Sequence, residues 1–340
     1  EMTEETEWTE STDEWAMLPE AALIFVLSAV MCLVVGRVAI HMLARAQCVA
    51  PLRYTDCPPL LAYHETKPRV PTMGGLFVLA VAILVAGLTG GLAHRDGWLI
   101  LGAVIALGAI GCFDDYLKFR GVNAVGLRAF PKLLLALGVG AIVGLASWRD
   151  PGVLRDPMLL GILGAIGWVI FAMLVLAGCA HAVNLTDGMD GLAVGCVAMA
   201  FSVLGLWAMQ GDARSLTLVP WCASFAGACV GFLWFNSFPA SVVLGDVGAL
   251  GLGAALGAVS LLTQSAWWLL IVGGIFVVEA LSVMLQVASY QWRGGRRIFR
   301  VAPIHHHFHL GGIPEPKLIV RFWIVGLILA MASLMLRTLP

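Results

Sequence analysis

Ten apolar runs fill most of this 340-residue chain, and each is long enough to cross the hydrocarbon of a bilayer. They fall at about 19–44, 73–93, 97–113, 131–148, 158–181, 191–210, 216–235, 247–264, 267–289 and 318–336, where a spanning helix needs about 20 residues. Hydrocarbon offers the backbone no hydrogen-bond partner. A run in lipid must therefore satisfy its own N–H and C=O groups, as a helix does. Composition agrees: 60% of residues are hydrophobic and 12% charged, against roughly 25% charge in a soluble domain. The chain reads as all-α, a polytopic integral membrane protein of about ten transmembrane helices. Residues 1–16 differ in kind, being acidic and polar from Glu1 to Glu14, and they precede Met17. They read as an appended remnant or a disordered tail, which leaves 17–340 as a single transmembrane domain. The eight cysteines are scattered with no Cys-x-x-Cys pair, and most fall inside apolar runs, so they read as free buried thiols rather than a zinc site or a disulfide framework.

Orientation follows from the basic residues. One set of connections carries thirteen of them: Arg45, Arg53, Lys67, Arg69, Lys118, Arg120, Arg128, Lys132, Arg293, Arg296, Arg297, Arg300 and Lys317. The other set, with the termini, carries five: Arg95, Arg149, Arg155, Arg214 and Arg337. Positive charge stays inside, so the first set is expected in the cytoplasm and both termini outside.

Five polar clusters interrupt the apolar sequence, and all lie on or beside the cytoplasmic connections. They are His64-Glu65-Thr66-Lys67, Asp114-Asp115-Tyr116-Leu117-Lys118, Asn184 through Asp190, Asn236 through Asp246, and His305-His306-His307. Each also has an ordinary explanation. Asp187, Asp190 and Asp246 precede apolar runs and could simply cap helices. Lys67, Lys118 and Lys132 could serve topology and lipid headgroups. Asp114 and Asp115 are harder to dismiss, because acids at the carboxyl end of a helix oppose its dipole. Lys118 lies one turn beyond them, on the same face if the helix continues. Glycines flank Asp246, so a ligand can approach the backbone closely. Three consecutive histidines suit a soft-metal or phosphate site better than a solvated loop. Glu279 is the one acid deep in a run, where a hydrogen-bonded structural or site-wall role is expected.

Carboxylates, lysines, histidines and glycines without an evident Ser or Cys nucleophile suit phosphoryl transfer. That chemistry depends on positioning and on charge neutralisation by Mg²⁺ and cations. A cytoplasmic membrane face suggests one water-soluble and one lipid substrate. The residues alone name neither the sugar nor the lipid.

Several long motifs occur in one order: His64-x-x-Lys67 running into Pro71-Thr72-Met73-Gly74-Gly75, Phe113-Asp114-Asp115-x-x-Lys118, Asn184-Leu185-Thr186-Asp187-Gly188-x-Asp190-Gly191-Leu192-Ala193, and Ala302-Pro303-Ile304-His305-His306-His307-Phe308. Pro314-Glu315-Pro316-Lys317 then leads into Val320-Arg321-Phe322-Trp323. On these motifs the chain resembles the phospho-N-acetylmuramoyl-pentapeptide transferases, nearly throughout from about residue 20. The resemblance implies a ten-helix homodimer in the bacterial inner membrane with a cytoplasmic cleft. It implies transfer from UDP-N-acetylmuramoyl-pentapeptide to undecaprenyl phosphate, giving a lipid diphosphate sugar and UMP, with Mg²⁺ as cofactor and no nucleic-acid partner. By position it makes Asp246 the metal ligand and Asp114 a candidate base for the lipid phosphate. Asp115, Lys118 and His305 complete the catalytic set. Lys67, Thr72, Lys132, Asn184, Asp187, Asp190, Gly191, Asn236, His306 and His307 are the substrate-binding positions it implies.

Two departures stand out. The family often reads Phe-Met-Gly-Asp-x-Gly-Ser where this chain reads Val243-Leu244-Gly245-Asp246-Val247-Gly248-Ala249, and it usually has Glu where His309 stands. Neither removes a proposed metal or acid–base residue. Two other readings compete: transfer of N-acetylhexosamine 1-phosphate to a polyprenyl phosphate, and transport or lipid flipping through a cytoplasmic gate. The histidine run and Pro314-Glu315-Pro316-Lys317 favour the muramoyl enzyme over the first. Transport predicts charge through the membrane depth, and only Glu279 lies there.

Overall fold

Helices form wherever the apolar runs lie, and the described part of the computed structural model contains no β-strand. It describes residues 4–49, 57–121, 126–148 and 157–337. Arg53, Arg149 and Arg155 of the charge count, and residues 1–3 of the acidic segment, lie outside these. The helices are α1 (Glu4–Arg45), α2 (Pro58–Thr66), α3 (Gly75–Leu88), α4 (Arg95–Phe119), α5 (Ala129–Trp148), α6 (Pro157–Thr186), α7 (Leu192–Met209) and α8 (Ala213–Leu216). They continue as α9 (Val219–Asn236), α10 (Gly245–Leu262), a 3₁₀ turn (Ala266–Trp268), α11 (Leu269–Val272), α12 (Gly274–Trp292), α13 (Ile304–His309) and α14 (Glu315–Arg337).

Nine helical segments among the described residues are long and apolar enough to cross a membrane. The tenth expected run, at about 73–93, becomes α3, which has only 14 residues. At 1.5 Å per residue that is about 21 Å, short of the roughly 30 Å of hydrocarbon. Two residues are lost at its start, where Met73 takes a left-handed φ of 67° and the Gly74 and Gly75 N–H groups donate to the Val243 and Leu244 carbonyls. Residues 89–93 are lost at its end, where Gly90, with φ of 91°, turns the chain. The run at 267–289 is also not one helix, because a break at Gly273 separates α11 from α12.

α10 is the axis of the bundle, buried along its whole length. It packs against α4, α6, α3 and α7. Small residues permit this, since in lipid close van der Waals packing does what the hydrophobic effect does in water. A Cβ on Gly75 of α3 would stand 2.1 Å from the Gly248 Cα, and one on Gly111 of α4 would stand 2.2 Å from the Asp246 carbonyl oxygen. Gly253 and Gly257 meet α6 in the same way, at Ala180 and Leu176. The outward faces of α1, α5 and α14 stay apolar and exposed, as at Leu23, Val34, Ile142 and Ile328, which suits lipid. All eight cysteines are free thiols, as expected; Cys32, Cys48, Cys196, Cys222 and Cys229 are buried, whereas Cys57, Cys112 and Cys179 are only partly so.

Candidate functional site

The close approach of α4 to α10 brings acids distant in sequence together. Gly111 lets the end of α4 lie against the first turn of α10, so Asp114 and Asp115 meet Asp246. Oxygens of the three carboxylates lie within 4.8 Å of one another, and all three residues are buried. Asp115 Oδ2 accepts from the Val247 backbone N–H at 3.1 Å, which fixes it against α10. Gly245, with φ of 78°, turns the chain sharply just before Asp246. A Cβ there would stand 2.7 Å from Asp115 Oδ2 and 3.1 Å from Thr72 Oγ1, so only glycine fits. Thr72 is buried at this same point.

Two lysines face the acids. Lys132, in the first turn of α5, places Nζ 2.8 Å from Asp246 Oδ2 and 3.2 Å from Asp114 Oδ2. Lys118, one turn beyond Asp114, places Nζ 3.0 Å from Asp246 Oδ2 and also pairs with Asp114. The Leu127 N–H donates to Asp114 Oδ1 at 2.5 Å, tying the α4–α5 connection to the site. Three carboxylates against two ammonium groups leave one formal negative charge in a buried pocket. Hard carboxylate oxygens are the donor set a hard cation such as Mg²⁺ uses, so these residues fit a divalent ion.

A second group surrounds Lys67. Its Nζ lies 2.8 Å from both oxygens of Glu315, at the start of α14, and 3.3 Å from Asp190 Oδ1 in the α6–α7 turn. The Asp190 N–H donates to Glu315 Oε1 at 3.0 Å, and the Ala240 N–H donates to Asp190 Oδ2 at 3.1 Å. Tyr63 of α2 donates its hydroxyl to Glu315 Oε2. Burial raises the Asp190 carboxyl above its ordinary range. Lys67 opposes that shift, Glu315 adds to it, and the Ala240 N–H opposes it. Burial and the bond to Glu315 push the Tyr63 hydroxyl up as well. Asn236 sits behind this turn, with Oδ1 accepting from the Gly191 N–H at 3.0 Å and Nδ2 donating to the Val242 carbonyl at 2.9 Å. Gly191, with φ of 79°, needs the glycine that the motif supplies.

The histidines form a third group. His305 and His306 are buried, with ring centroids 4.1 Å apart. His305 Nδ1 lies 3.0 Å from Glu279 Oε2, so this buried acid faces the bundle interior beside the histidine run, but the contact lacks hydrogen-bond geometry and the hydrogen-bonded role expected of Glu279 is not formed. A Cβ on Gly188 would stand 2.3 Å from His305 Nε2 and 3.1 Å from His306 Nε2. The turn carrying Asn184, Asp187 and Asp190 is thus seated on the histidines, with those three side chains half-buried. His307 is engaged elsewhere, its Nδ1 accepting from the Arg300 N–H at 3.1 Å.

The segment from Pro71 to Gly75 joins the groups. The Val243 N–H donates to the Pro71 carbonyl, and the Gly74 and Gly75 N–H groups donate to Val243 and Leu244. The strand-like segment after Lys67 therefore runs beside the segment that carries Asp246. Tyr63 and Glu315 are not among the site residues expected from sequence. Glu315 stands in a noted motif, but an acid in the first turn of a helix also has an ordinary reason to be there.

With this geometry in view, comparison with known proteins is specific. Residues 97–264 match the family described as glycosyl transferase family 4. The chain is 43% identical over 295 residues to a protein of Desulfotalea psychrophila named phospho-N-acetylmuramoyl-pentapeptide-transferase, covering 81% of this chain and 82% of that one. A protein of the same name from Thermodesulfovibrio yellowstonii is 43% identical over 295 residues, with 80% and 81% covered. Another, from Pelobacter propionicus, is 41% identical over 321 residues, with 89% and 88% covered.

Proposed function

The chain belongs to the phospho-N-acetylmuramoyl-pentapeptide-transferase family, and from that premise we propose that it moves phospho-N-acetylmuramoyl-pentapeptide from its UDP conjugate to undecaprenyl phosphate. The products are lipid I and UMP. The observation that carries this reading is the buried meeting of Asp114, Asp115 and Asp246 with Lys118 and Lys132. Such a set suits a diphosphate, whose negative charge must be neutralised and aligned while little covalent work falls to the protein.

In the proposed reaction an oxygen of the lipid phosphate attacks the sugar-bearing phosphorus. The bond from that phosphorus to the bridging oxygen breaks, and UMP leaves with the electron pair. One diphosphate linkage is lost and one gained, so the equilibrium lies near unity. Asp246 would hold Mg²⁺, with Asp114 and Asp115 beside it. The bound ion would supply charge neutralisation at the diphosphate. Asp114 would orient the lipid phosphate and take any proton it still carries. Lys118 and Lys132, which neutralise the acids here, would turn to phosphate oxygens. Lys67, Asn184, Asp187, Asp190 and the Gly188–Gly191 turn would bind the nucleotide sugar, against the wall made by His305 and His306. Asn236 supports this role through the turn, since both ends of its amide are engaged in holding it.

The excess of lysine and arginine on one set of connections supports a cytoplasmic site in the bacterial inner membrane. The exposed apolar faces suit the bilayer and a homodimer. Residues 17–340 are read as one transferase domain, apart from the acidic segment before it. The test is release of UMP by the purified protein from UDP-N-acetylmuramoyl-pentapeptide with undecaprenyl phosphate and Mg²⁺. Release from UDP-N-acetylglucosamine instead, with none from the muramoyl conjugate, would replace this reading with the hexosamine-phosphate one.

A further inference from the structure

Lysine is a poor fixed point by itself, because its ammonium rides on a flexible four-carbon stem. Lys67 is nevertheless held from several sides. Both oxygens of Glu315 lie 2.8 Å from its Nζ. Asp190 Oδ1 lies at 3.3 Å. The rings of Tyr63 and Phe238 stand 5.4 and 5.6 Å from the ammonium, within cation–π range. Glu315 is the hub. Its side chain is 1% exposed, and it also accepts from the Asp190 N–H and the Tyr63 hydroxyl. An ionised acid buried this deeply is stable only when its lone pairs are met, and here they are. Tyr63 is held in turn by His309, whose ring centroid lies 4.2 Å away and whose Nδ1 lies 3.1 Å from the Ile313 carbonyl oxygen. In this chain the carboxylate that meets Lys67 comes from Glu315, and the residue at 309 supplies a ring for Tyr63.

We propose that Glu315 and Tyr63 are positioning residues for the nucleotide sugar, setting the Lys67 ammonium and the Asp190 backbone at one fixed point. The inference rests on the reading that Lys67 and the Asn184–Asp190 turn bind that substrate. Three segments converge on Glu315 at the start of α14: α2, the connection into α3 and the α6–α7 turn. Glu315 acts through Lys67 and does not touch the reacting phosphates. Its loss therefore weakens binding of one substrate and spares the chemical step.

A double-mutant cycle on the full-length protein in detergent, with Mg²⁺ and both substrates, tests this. Glu315→Gln keeps the shape and removes the charge. Its KM for the UDP-sugar should rise by about tenfold or more, the scale of one charged hydrogen bond. Its kcat and its KM for undecaprenyl phosphate should stay within about twofold, as expected when binding is lost equally from ground and transition states. Tyr63→Phe should shift the same KM in the same direction, by less. In a Lys67→Met background, Glu315→Gln should add little, because glutamine still offers an oxygen to the Asp190 N–H and the charge that held Lys67 no longer has a partner. A merely structural staple would instead lower the melting temperature and give additive losses, or losses in both KM values, and either result would overturn the proposal. If Glu315→Gln does not fold, Tyr63→Phe decides alone, and an unchanged UDP-sugar KM in that variant rejects the idea. Should the wild type use UDP-N-acetylglucosamine rather than the muramoyl conjugate, the substrate reading fails, and the same cycle is run with the nucleotide that turns over.

Discussion

Asp114 and Asp115 are neighbours in sequence with different surroundings. Asp114 faces both lysines and the Leu127 N–H, while Asp115 caps the first turn of α10 through the Val247 N–H. Adjacent helical side chains point about 100° apart, so the two are not interchangeable. Asp114→Asn is expected to lower kcat by about 10²–10⁴, the usual worth of a positioned acid–base group, with little change in UDP-sugar affinity. Calorimetric binding measured beside steady-state turnover checks this. Normal turnover with weakened binding would make Asp114 a binding residue. Asp190 carries a different expectation, because its carboxyl is raised when folded. Such an acid holds its proton to higher pH in the folded chain than in the unfolded one. Its stabilising contribution is present at low pH and is lost as pH rises through the folded value. At neutral pH the ionised form is therefore the disfavoured one. Asp190→Asn should melt no lower than wild type at pH 7, and any advantage should shrink as pH falls through the carboxylate range. Thermal unfolding across pH reads the sign, and an advantage that grows on acidification would contradict the assignment.

Helix crossings set the distances between these side chains. Gly111 and Gly102 lie on the same helix, α4, in opposite circumstances. A Cβ at Gly111 would collide with the Asp246 carbonyl, whereas one at Gly102 meets nothing within 4 Å. Gly111→Ala should cost about 1–3 kcal/mol by forcing α4 from α10, and it should remove activity because Asp114 and Asp115 leave Asp246. Gly102→Ala should be neutral, or stabilise by up to about 1 kcal/mol through helix propensity. Melting temperature and turnover measured on both variants form the check, and equal effects would mean that the crossing does not control the site. Glu279 with His305 shows the same dependence on elements. α12 carries the acid and α13 the histidine, and only their packing joins them.

At the scale of the whole molecule, charge is distributed by side of the membrane. The loop from Arg293 to Arg300 is the densest in positive charge, so it is expected in the cytoplasm beside the proposed site. A single cysteine placed at Gly295, in a background without exposed thiols, should resist impermeant reagents applied to intact cells. Ready labelling from outside would invert the topology and the side from which the nucleotide sugar enters. The region is exposed, with Trp292 84% accessible, so lack of labelling would reflect its side rather than its burial.

Hydropathy is a local property, so the sequence alone specified the apolar helices and left the polar clusters in the connections between them. Its motifs also named Asp114, Asp115, Lys118 and Asp246, which the fold does bring together. Hydropathy could not foresee that α3 would be short, because its start is set by pairing of Pro71, Gly74 and Gly75 with Val243 and Leu244 and its end by the turn at Gly90. Nor could it foresee Tyr63 on Glu315, a contact across 252 positions of chain. An acid in the first turn of a helix looks like dipole compensation until a lysine is seen against it. Which small residues are crossings and which are idle, as with Gly111 and Gly102, depends on what lies opposite. That was decided by tertiary packing, because a glycine carries no side chain from which its neighbour can be read.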